Sequence, residues 1–333
     1  MRSVYRDRWG GPEVLEIREL PTPVATGDQV LVRVRAASVN RADLDWMLPK
    51  FGWLFRLFFG LRRPRRHTLG LDVAGTVEAR GPDATRVQLG DRVFADLFSY
   101  GMAAFAEFVC VSERAFQTIP DELTFEEAAT LPHSAALAVM GLKRYGGQDL
   151  HPGDRILVVG ASGNVGPFLV QIAKARRLWV AGVCRTSKTD FVRSLGADEV
   201  IDYTTTDYTK TGPYDRIIDV DAHRSIFGYR KALKPGGVYI SMGGNAIWIL
   251  SYFANALTGW LRRDGKHLGL MPGWRPFHPD DVAVLRELVA AGAFRPRIDR
   301  RYPLAEIRQA VSDVHEGRSQ GKIVVTMEPP AQT

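Results

Sequence analysis

A glycine-rich turn between a predicted strand and a predicted helix contains the residue types that bind phosphate groups. The turn follows the apolar run at residues 155–159 and includes Gly160, Ser162, Gly163, Asn164, Val165 and Gly166. Glycine at position 163 lets the backbone approach a pyrophosphate, and glycine at 166 lets the helix pack closely against the strand. Free N–H groups at the helix N-terminus would then bind the phosphates. The motif predicts a dinucleotide site, although a glycine-rich turn without a ligand can have the same sequence.

The segment after the next predicted strand indicates which dinucleotide would bind. Sites for NAD commonly place an acidic residue there, to bond the ribose 2′-hydroxyl. This chain instead has Arg185, Ser187 and Lys188, with no carboxylate before Asp190. Cations and hydroxyls suit a 2′-phosphate, so we expect NADP(H). The alternative is that Arg185 and Lys188 only cap a helix and face solvent.

The pattern of strands and helices divides the chain in two and predicts an α/β protein. Short alternating runs separated by Gly/Pro turns dominate the first 130 residues and favour a small barrel or sandwich. From residue 131 onward, strands alternate with helices in a βαβαβ rhythm. This rhythm predicts a doubly wound parallel sheet, and residues 267–271 could add a sixth strand to it.

Composition and charge exclude several classes of protein. The 333 residues are 45% hydrophobic and carry a net charge of +7, which is typical of a globular protein rather than a disordered chain. Two cysteines are too few for a disulfide scaffold or a four-cysteine zinc site. We see no 18-residue apolar run and no signal peptide, so we expect a cytoplasmic protein. No recognition module supports nucleic-acid binding as the main function.

Nine short motifs occur in a characteristic order along nearly the whole chain. They are GGPEVL at 10–15, SVNRAD at 38–43, LGLDVAGTV at 69–77, GDRVF at 90–94, AFAEF at 104–108, AATLP at 128–132, LGAD at 195–198, KPGG at 234–237 and GKIV at 321–324. In order and spacing they resemble the medium-chain dehydrogenase/reductase superfamily. The branch they resemble is that of the zinc-independent, zeta-crystallin-like quinone oxidoreductases.

The resemblance implies two domains. Residues 1–130 and 275–330 would form a chaperonin-10-like (GroES-like) β-barrel catalytic domain, and residues 131–274 a doubly wound Rossmann NADP-binding domain. The active site would lie in a cleft between them. The family often forms dimers through the cofactor domain, so we expect a homodimer.

The resemblance also places further residues at the site. Asn40 and Asp43 would lie near the nicotinamide, where the Asn40 amide could donate to a developing oxyanion; both could instead only stabilise a turn. Tyr203 would lie beside the 2′-phosphate. The remaining predicted cofactor contacts are Gly243, Gly244, Leu268, Leu270 and Lys322. Many relatives have a threonine near the nicotinamide where this chain has Leu137, and His133 or Ser134 could compensate for it.

We expect no metal. Zinc-dependent relatives place a cysteine ligand where this chain has Asn40 and a histidine where it has Leu71, and only His67 and His133 remain as stray candidates. Without zinc, the substrate must accept hydride easily, as a quinone or an α,β-unsaturated carbonyl does. An enoyl-thioester reductase and an NADPH-binding protein without turnover are the alternatives.

Two apolar segments have several possible roles. Residues 51–61 precede a cluster of four arginines at 62–66, and residues 246–261 include four aromatic side chains. Both segments could form walls of the substrate cleft. Residues 51–66 could instead contact an anionic membrane surface, and either segment could contribute to a dimer interface.

Overall fold

Strands and helices alternate along the chain in a computed structural model that describes residues 1–48, 56–57, 59–243, 246–258, 264–271 and 277–327. The strands are β1 (Arg2–Tyr5), β2 (Glu16–Glu19), β3 (Gln29–Val39), β4 (Asp72–Arg80), β5 (Arg92–Asp96), β6 (Phe108–Ser112), β7 (Gln117–Thr118), β8 (Arg155–Val159), β9 (Trp179–Cys184), β10 (Glu199–Asp202), β11 (Tyr214–Asp219), β12 (Leu233–Ser241), β13 (His267–Leu270), β14 (Ile298–Pro303) and β15 (Lys322–Thr326). The helices are α1 (Arg41–Met47), α2 (Phe125–Ala129), α3 (Ser134–Gly141), α4 (Gly166–Ala175), α5 (Thr189–Ser194), α6 (Ile226–Ala232), α7 (Ala246–Thr258), α8 (Pro279–Ala290) and α9 (Ile307–His315).

The chain folds into two compact units. The first consists of Met1–Ser134, Pro276–Val282 and Pro296–Thr333, and the second of Ala135–Arg275 and Ala283–Arg295. The predicted domains placed all of residues 275–330 in the barrel, whereas 283–295 pack with the second unit. The reason is local, because Gln171 and Arg295 exchange hydrogen bonds of 3.1 and 3.2 Å and the Phe294 ring packs edge-on against Phe168.

A seven-stranded sheet forms the core of the first unit. Its order is β14-β15-β3-β4-β5-β7, and β6 pairs with β3 outside this path. Along β3, Val30, Val32 and Val34 are buried while Arg33 and Arg35 are exposed. This alternation is the period-two pattern that the sequence analysis used to predict a half-buried strand.

One end of this sheet brings four distant chain segments together. The register pairs Ser38 with Asp72, Asp72 with Asp96, and Val39 with Ile323. The carboxyl ends of β3 and β5 therefore lie beside the first residues of β4 and β15. Side chains from these four ends build the polar cluster described below.

A six-stranded parallel sheet forms the second unit and confirms the predicted doubly wound arrangement. Its order is β10-β9-β8-β11-β12-β13, which places β13 at the position predicted for a sixth strand. Ile156, Leu157 and Val158 of the central strand β8 are fully buried, as expected for a strand covered on both faces.

Candidate active site and cofactor site

Asn40 lies between β3 and α1, and both the nitrogen and the oxygen of its side-chain amide are hydrogen-bonded. It is 1% exposed. Its Nδ2 donates to Asp72 Oδ2 at 2.8 Å and, more weakly, to the Ser38 carbonyl at 3.5 Å. Its Oδ1 accepts from Ser134 Oγ at 3.1 Å and from Lys322 Nζ at 2.5 Å. To donate to a substrate oxyanion, as the sequence analysis anticipated, Asn40 would have to exchange one of these partners.

Asp72 lies at the centre of the cluster, because its carboxylate accepts hydrogen bonds from four donors. Three donors lie 2.8 Å away, namely Ser38 Oγ, Asn40 Nδ2 and the His133 backbone N–H. Lys322 Nζ lies at 3.3 Å. Burial raises the pKa of Asp72, and the ammonium and hydrogen bonds oppose that rise.

Lys322, predicted to contact the cofactor, lies buried inside this cluster. The side chain is 1% exposed, and Nζ donates to Asn40, Asp72 and Ser134. Burial lowers the pKa of Lys322, whereas the charge of Asp72 favours its ammonium form. A buried charge is tolerated where it is paired and hydrogen-bonded in this way.

His133 and Asp96 form a buried pair at the edge of the cluster. His133 Nδ1 lies 2.8 Å from Asp96 Oδ2, and the side chains are 5% and 0% exposed. The other carboxylate oxygen of Asp96 accepts the Phe98 backbone N–H at 2.8 Å. Burial acts to lower the pKa of His133, but the charge and hydrogen bond of Asp96 outweigh burial and leave that pKa above its ordinary value.

Asp43 is fully buried in the first turn of α1. Its Oδ2 accepts the Asn40 backbone N–H at 2.8 Å, which caps the start of the helix. Its Oδ1 has no hydrogen-bond partner among the described residues. Burial, assisted by the nearby charge of Asp72, raises the pKa of Asp43 to about 7. At neutral pH, this carboxyl group is therefore protonated in a fraction of the molecules.

Sequence reasoning missed Asp72, Asp96 and Ser38. Asp72 was noticed only as part of a motif, and Asp96 carried no signal of its own. The one signal in the sequence was that polar residues stand at the ends of predicted strands whose other residues are mostly apolar. Only the pairing of β3, β4 and β5 shows that these ends are adjacent.

The glycine-rich turn in the second unit fits a pyrophosphate. Gly160 has a φ of +82°, a conformation that favours glycine. A Cβ on Gly166 would lie 2.3 Å from the Gly160 carbonyl oxygen, so only glycine lets α4 start this close to β8. A Cβ on Gly163 would meet that oxygen at 3.4 Å. Gly163 and Asn164, just before the α4 N-terminus, are half-buried.

The predicted 2′-phosphate residues come together at the carboxyl ends of β9 and β10. Arg185, Ser187 and Tyr203 are exposed and Lys188 is buried. The Tyr203 N–H donates to the Cys184 carbonyl at 3.1 Å, which ties the two strand ends together. A carboxylate also lies at this edge, because Asp202 accepts the Thr186 hydroxyl at 2.5 Å. The prediction of NADP(H) was based on the residues after β9, whereas this acidic group comes from the neighbouring strand β10.

The predicted nicotinamide residues follow the last two strands of the same sheet. Gly243 comes just after β12, Leu268 is half-buried in β13, and Leu270 ends that strand 44% exposed. Gly244 lies outside the described residues. The register aligns the carboxyl ends of all six strands, so these residues share an edge with the glycine-rich turn.

Comparisons with known proteins find a family match in each of the two units. The alcohol dehydrogenase GroES-like domain matches residues 26–121, and the zinc-binding dehydrogenase family matches residues 195–325. Mouse NAD(P)H oxidoreductase RTN4IP1, mitochondrial, is 32% identical over 96% of this chain and 88% of its own length. Quinone-oxidoreductase QR1, chloroplastic, from Triphysaria versicolor is 31% identical over 98% of both chains. The chain belongs to the medium-chain dehydrogenase/reductase superfamily, in its quinone oxidoreductase-like branch.

A solved structure supports the same assignment. The quinone oxidoreductase from Coxiella burnetii superposes with a TM-score of 0.85 at 26% identity, covering 98% of this chain and 99% of that one. The protein is thus an NAD(P)H-dependent oxidoreductase with a GroES-like domain and a Rossmann-like domain, as the motifs predicted. The names of these two relatives describe one as mitochondrial and the other as chloroplastic. The cytoplasmic localisation and the homodimer stay predictions.

The donor set in this member of the superfamily does not fit zinc. Among the described residues, no group of three or more His, Cys, Asp or Glu side chains could hold a metal ion. At the positions of the zinc ligands, Asn40 already accepts a hydrogen bond from an ammonium group, and Leu71 is apolar and buried. His67 lies apart from the cluster, with Nδ1 2.8 Å from the Arg6 carbonyl oxygen.

The two apolar segments are only partly described. Residues 51–55, 58 and 259–261 lie outside the described residues, so the predicted membrane contact at 51–66 stays a prediction. In α7, Leu250, Phe253 and Leu257 expose 60–77% of their surface on one helix face. Within the described part of the chain, no helix has the length and apolar character needed to cross a bilayer.

Proposed function

We propose that this protein is an NADP(H)-dependent, metal-free reductase that transfers hydride to a quinone or an α,β-unsaturated carbonyl compound. The observation that carries the proposal is the 2.5 Å hydrogen bond between Lys322 Nζ and Asn40 Oδ1. The ammonium group thus bonds the side-chain oxygen at the position where zinc-dependent relatives would have a cysteine ligand. With an amide and a leucine at the ligand positions, polarisation of an alcohol by zinc is not expected.

The choice of NADP(H) rests on the edge formed by β9 and β10. Bound there, the cofactor would supply the hydride, and this chain would position and orient it. The Gly163 backbone and the α4 N-terminus would hold the pyrophosphate. Arg185 and Lys188 would pair with the 2′-phosphate, and Tyr203 would cover the adenosine. Asp202 faces the same edge, but its hydrogen bonds to Thr186 and Thr204 direct its oxygens to those hydroxyls.

The proposed substrate class is argued from the side chains of the strand-end cluster, which consists of Ser38, Asn40, Asp72, Asp96, His133, Ser134 and Lys322. Hydride addition produces an oxyanion, and hydrogen-bond donors or cations stabilise such a charge best when they are fixed in advance. Lys322 and His133 would be the donors nearest to such a charge in this cluster, and each is itself paired with a carboxylate. Acceptors that are already electron-poor, such as quinones and enones, need no stronger activation.

The test is NADPH oxidation by chelator-treated protein, followed by absorbance with a panel of quinones, enals, enones and one enoyl thioester. NADH serves as the paired cofactor. We expect chelator-resistant turnover that favours NADPH, with the highest rate on a quinone or an enone. Preference for the thioester would instead indicate an enoyl-thioester reductase. Binding of NADPH without reduction of any acceptor would support a non-catalytic role and contradict the proposal.

A further inference from the structure

Almost all of the net positive charge of the chain comes from one segment of the first unit. Residues 46–71 contain six of the chain's 44 Lys and Arg side chains and none of its 37 Asp and Glu side chains. The whole chain carries a net charge of +7, so the other residues together carry only +1. A concentration of cations without neighbouring carboxylates in the sequence attracts an anionic partner.

The turn that follows Phe59 is attached to the rest of the first unit by two tryptophans. The Arg65 N–H donates to the Phe59 carbonyl oxygen at 2.8 Å, which closes the turn. The Trp9 indole donates to the Gly60 carbonyl oxygen at 3.0 Å, and the Phe59 ring packs edge-on against Trp46 with centroids 4.7 Å apart. Because this backbone is already held in place, little ordering is needed when its outer side chains bind a partner.

The exposed side chains of this turn and of Leu57 before it combine arginine with leucine. We call them the arginine–leucine segment, which consists of Leu57, Leu61, Arg62, Arg63, Arg65 and Arg66. Its two leucines expose 50% and 60% of their surface. None of its four arginines forms an ion pair with a residue that the structure describes. Asp7 feels the charge of Arg63, but its Oδ2 is bonded by Arg18 at 2.5 Å.

We propose that the arginine–leucine segment attaches this protein to an anionic lipid surface. Arginine side chains pair with the phosphates and carboxylates of lipid headgroups, and leucine side chains enter the boundary between headgroups and acyl chains. A nucleic acid also attracts arginines, but it offers no apolar layer to exposed leucines. The inference is independent of the proposed reductase function, because NADPH oxidation with water-soluble acceptors needs no lipid.

The expected affinity depends on lipid charge and on salt. Each Lys or Arg close to an anionic surface strengthens binding about fivefold. This attraction decays within roughly 10 Å at about 0.1 M salt, and within less at higher ionic strength. Binding should therefore need anionic lipid and should weaken as the salt concentration increases.

The first experiment is co-sedimentation of the whole protein with lipid vesicles. The probes are vesicles of phosphatidylcholine alone and vesicles of phosphatidylcholine with about one third phosphatidylserine, both in roughly 0.1 M salt. We expect binding to the anionic vesicles, weak binding to the neutral ones, and release from the anionic vesicles at about 0.5 M salt. Equal binding to both kinds of vesicle, or binding to neither, would overturn the proposal.

A quadruple variant tests whether the arginines of this segment make the contact. Affinity for the anionic vesicles should fall about 100-fold or more in the variant with Arg62→Gln, Arg63→Gln, Arg65→Gln and Arg66→Gln. The matched control removes the same charge from exposed arginines elsewhere, through Arg86→Gln, Arg114→Gln, Arg144→Gln and Arg177→Gln. Thermal unfolding checks that both variants are folded. Equal losses in the two variants would show that net charge alone causes binding, which would overturn the proposal.

The leucines distinguish a lipid surface from other polyanions. In the variant with Leu57→Ser and Leu61→Ser, affinity for the anionic vesicles should fall about tenfold, because less apolar surface enters the lipid. The control with Val24→Ser and Leu89→Ser changes two other exposed apolar residues of the same unit and should bind like the wild type. Unchanged vesicle binding in the Leu57 and Leu61 variant would overturn the proposal. Tighter binding to a DNA duplex than to the anionic vesicles would also overturn it and identify a nucleic acid as the partner.

Discussion

At the residue scale, the proposed function depends on charged side chains whose surroundings differ sharply. Lys322 and Asp72 are buried and paired, so each is needed to make burial of the other tolerable. Arg185 is exposed just after β9, and its side chain has no buried ion pair with any other described residue. Substitutions in the cluster should therefore affect both stability and catalysis, whereas a substitution at Arg185 should report on cofactor binding alone.

The charge reversal Arg185→Glu should weaken NADPH binding by about 10- to 150-fold. Loss of one charged hydrogen bond costs roughly 1.5–3 kcal/mol, and the new carboxylate would also repel the 2′-phosphate. Fluorescence titration with NADPH and NADH measures the effect, and NADH affinity should change little. Arg144→Glu, an exposed reversal in the same unit, is the matched control. If NADPH affinity in Arg185→Glu stays within twofold of the parent, Arg185 does not bind the phosphate.

At the element scale, β8 and α4 pack closely at the turn that is proposed to bind the pyrophosphate. The turn changes direction at Gly160 and starts the helix at Gly166, whose missing side chain makes room for the Gly160 carbonyl. The same principle operates at the barrel end, where Asn40 and Asp43 together start α1. In both units a helix N-terminus follows directly from the end of a strand.

Gly166→Ala should impair both folding stability and cofactor binding. Its Cβ would lie 2.3 Å from the Gly160 oxygen and 2.5 Å from the Ala161 Cα, so the helix must shift. Overpacking of this kind costs about 1–3 kcal/mol. Thermal unfolding and NADPH titration measure the two effects.

The matched control for this substitution is Gly228→Ala in α6. The nearest atom to a Cβ there is Thr209 Cγ2 at 3.6 Å, an ordinary contact. Replacing a helical glycine by alanine should therefore be neutral or stabilise the protein by roughly 0.5–1 kcal/mol. Equal behaviour of the two variants would show that the close approach at Gly166 is not needed.

At the scale of the whole molecule, buried acidic groups connect stability to pH. Burial raises the pKa of Asp43 to about 7 and that of Asp219 to about 6. A carboxyl group whose folded-state pKa is raised binds a proton in the folded protein that the unfolded chain has already released. The free energy of unfolding must then decrease as pH increases between the two pKa values.

Replacing Asp43 with Asn should make stability less dependent on pH. Relative to the ordinary pKa of 3.8, a folded-state pKa of about 7 corresponds to a loss of roughly 4 kcal/mol between about pH 4 and 7. Urea unfolding at about pH 4 and about pH 7 measures this loss in both proteins. The contribution of Asp219 is common to both and cancels. An identical pH dependence in the two proteins would contradict a proton on Asp43.

The architecture could be read from the sequence because its signals are local. Alternating valines predicted β3, the apolar run at 155–159 predicted β8, and the glycine spacing predicted the turn before α4. Ordered motifs indicated the superfamily, which the comparisons confirm. Each of these signals lies within a few residues of the feature it describes, because periodicity and turn chemistry depend on near neighbours in the chain.

Only the tertiary structure shows which residues form the strand-end cluster. Asn40 and Lys322 are separated by 282 positions, and Asp96 and His133 by 37, yet each pair is hydrogen-bonded. Nothing local distinguishes Asp96 from any other polar residue at the end of a strand. Its contact with His133 arises because strand pairing buries it beside that histidine, where an unpaired charge would be costly. The sequence by itself therefore determined the elements and the cofactor turn, and the register of the barrel sheet determined which charges meet.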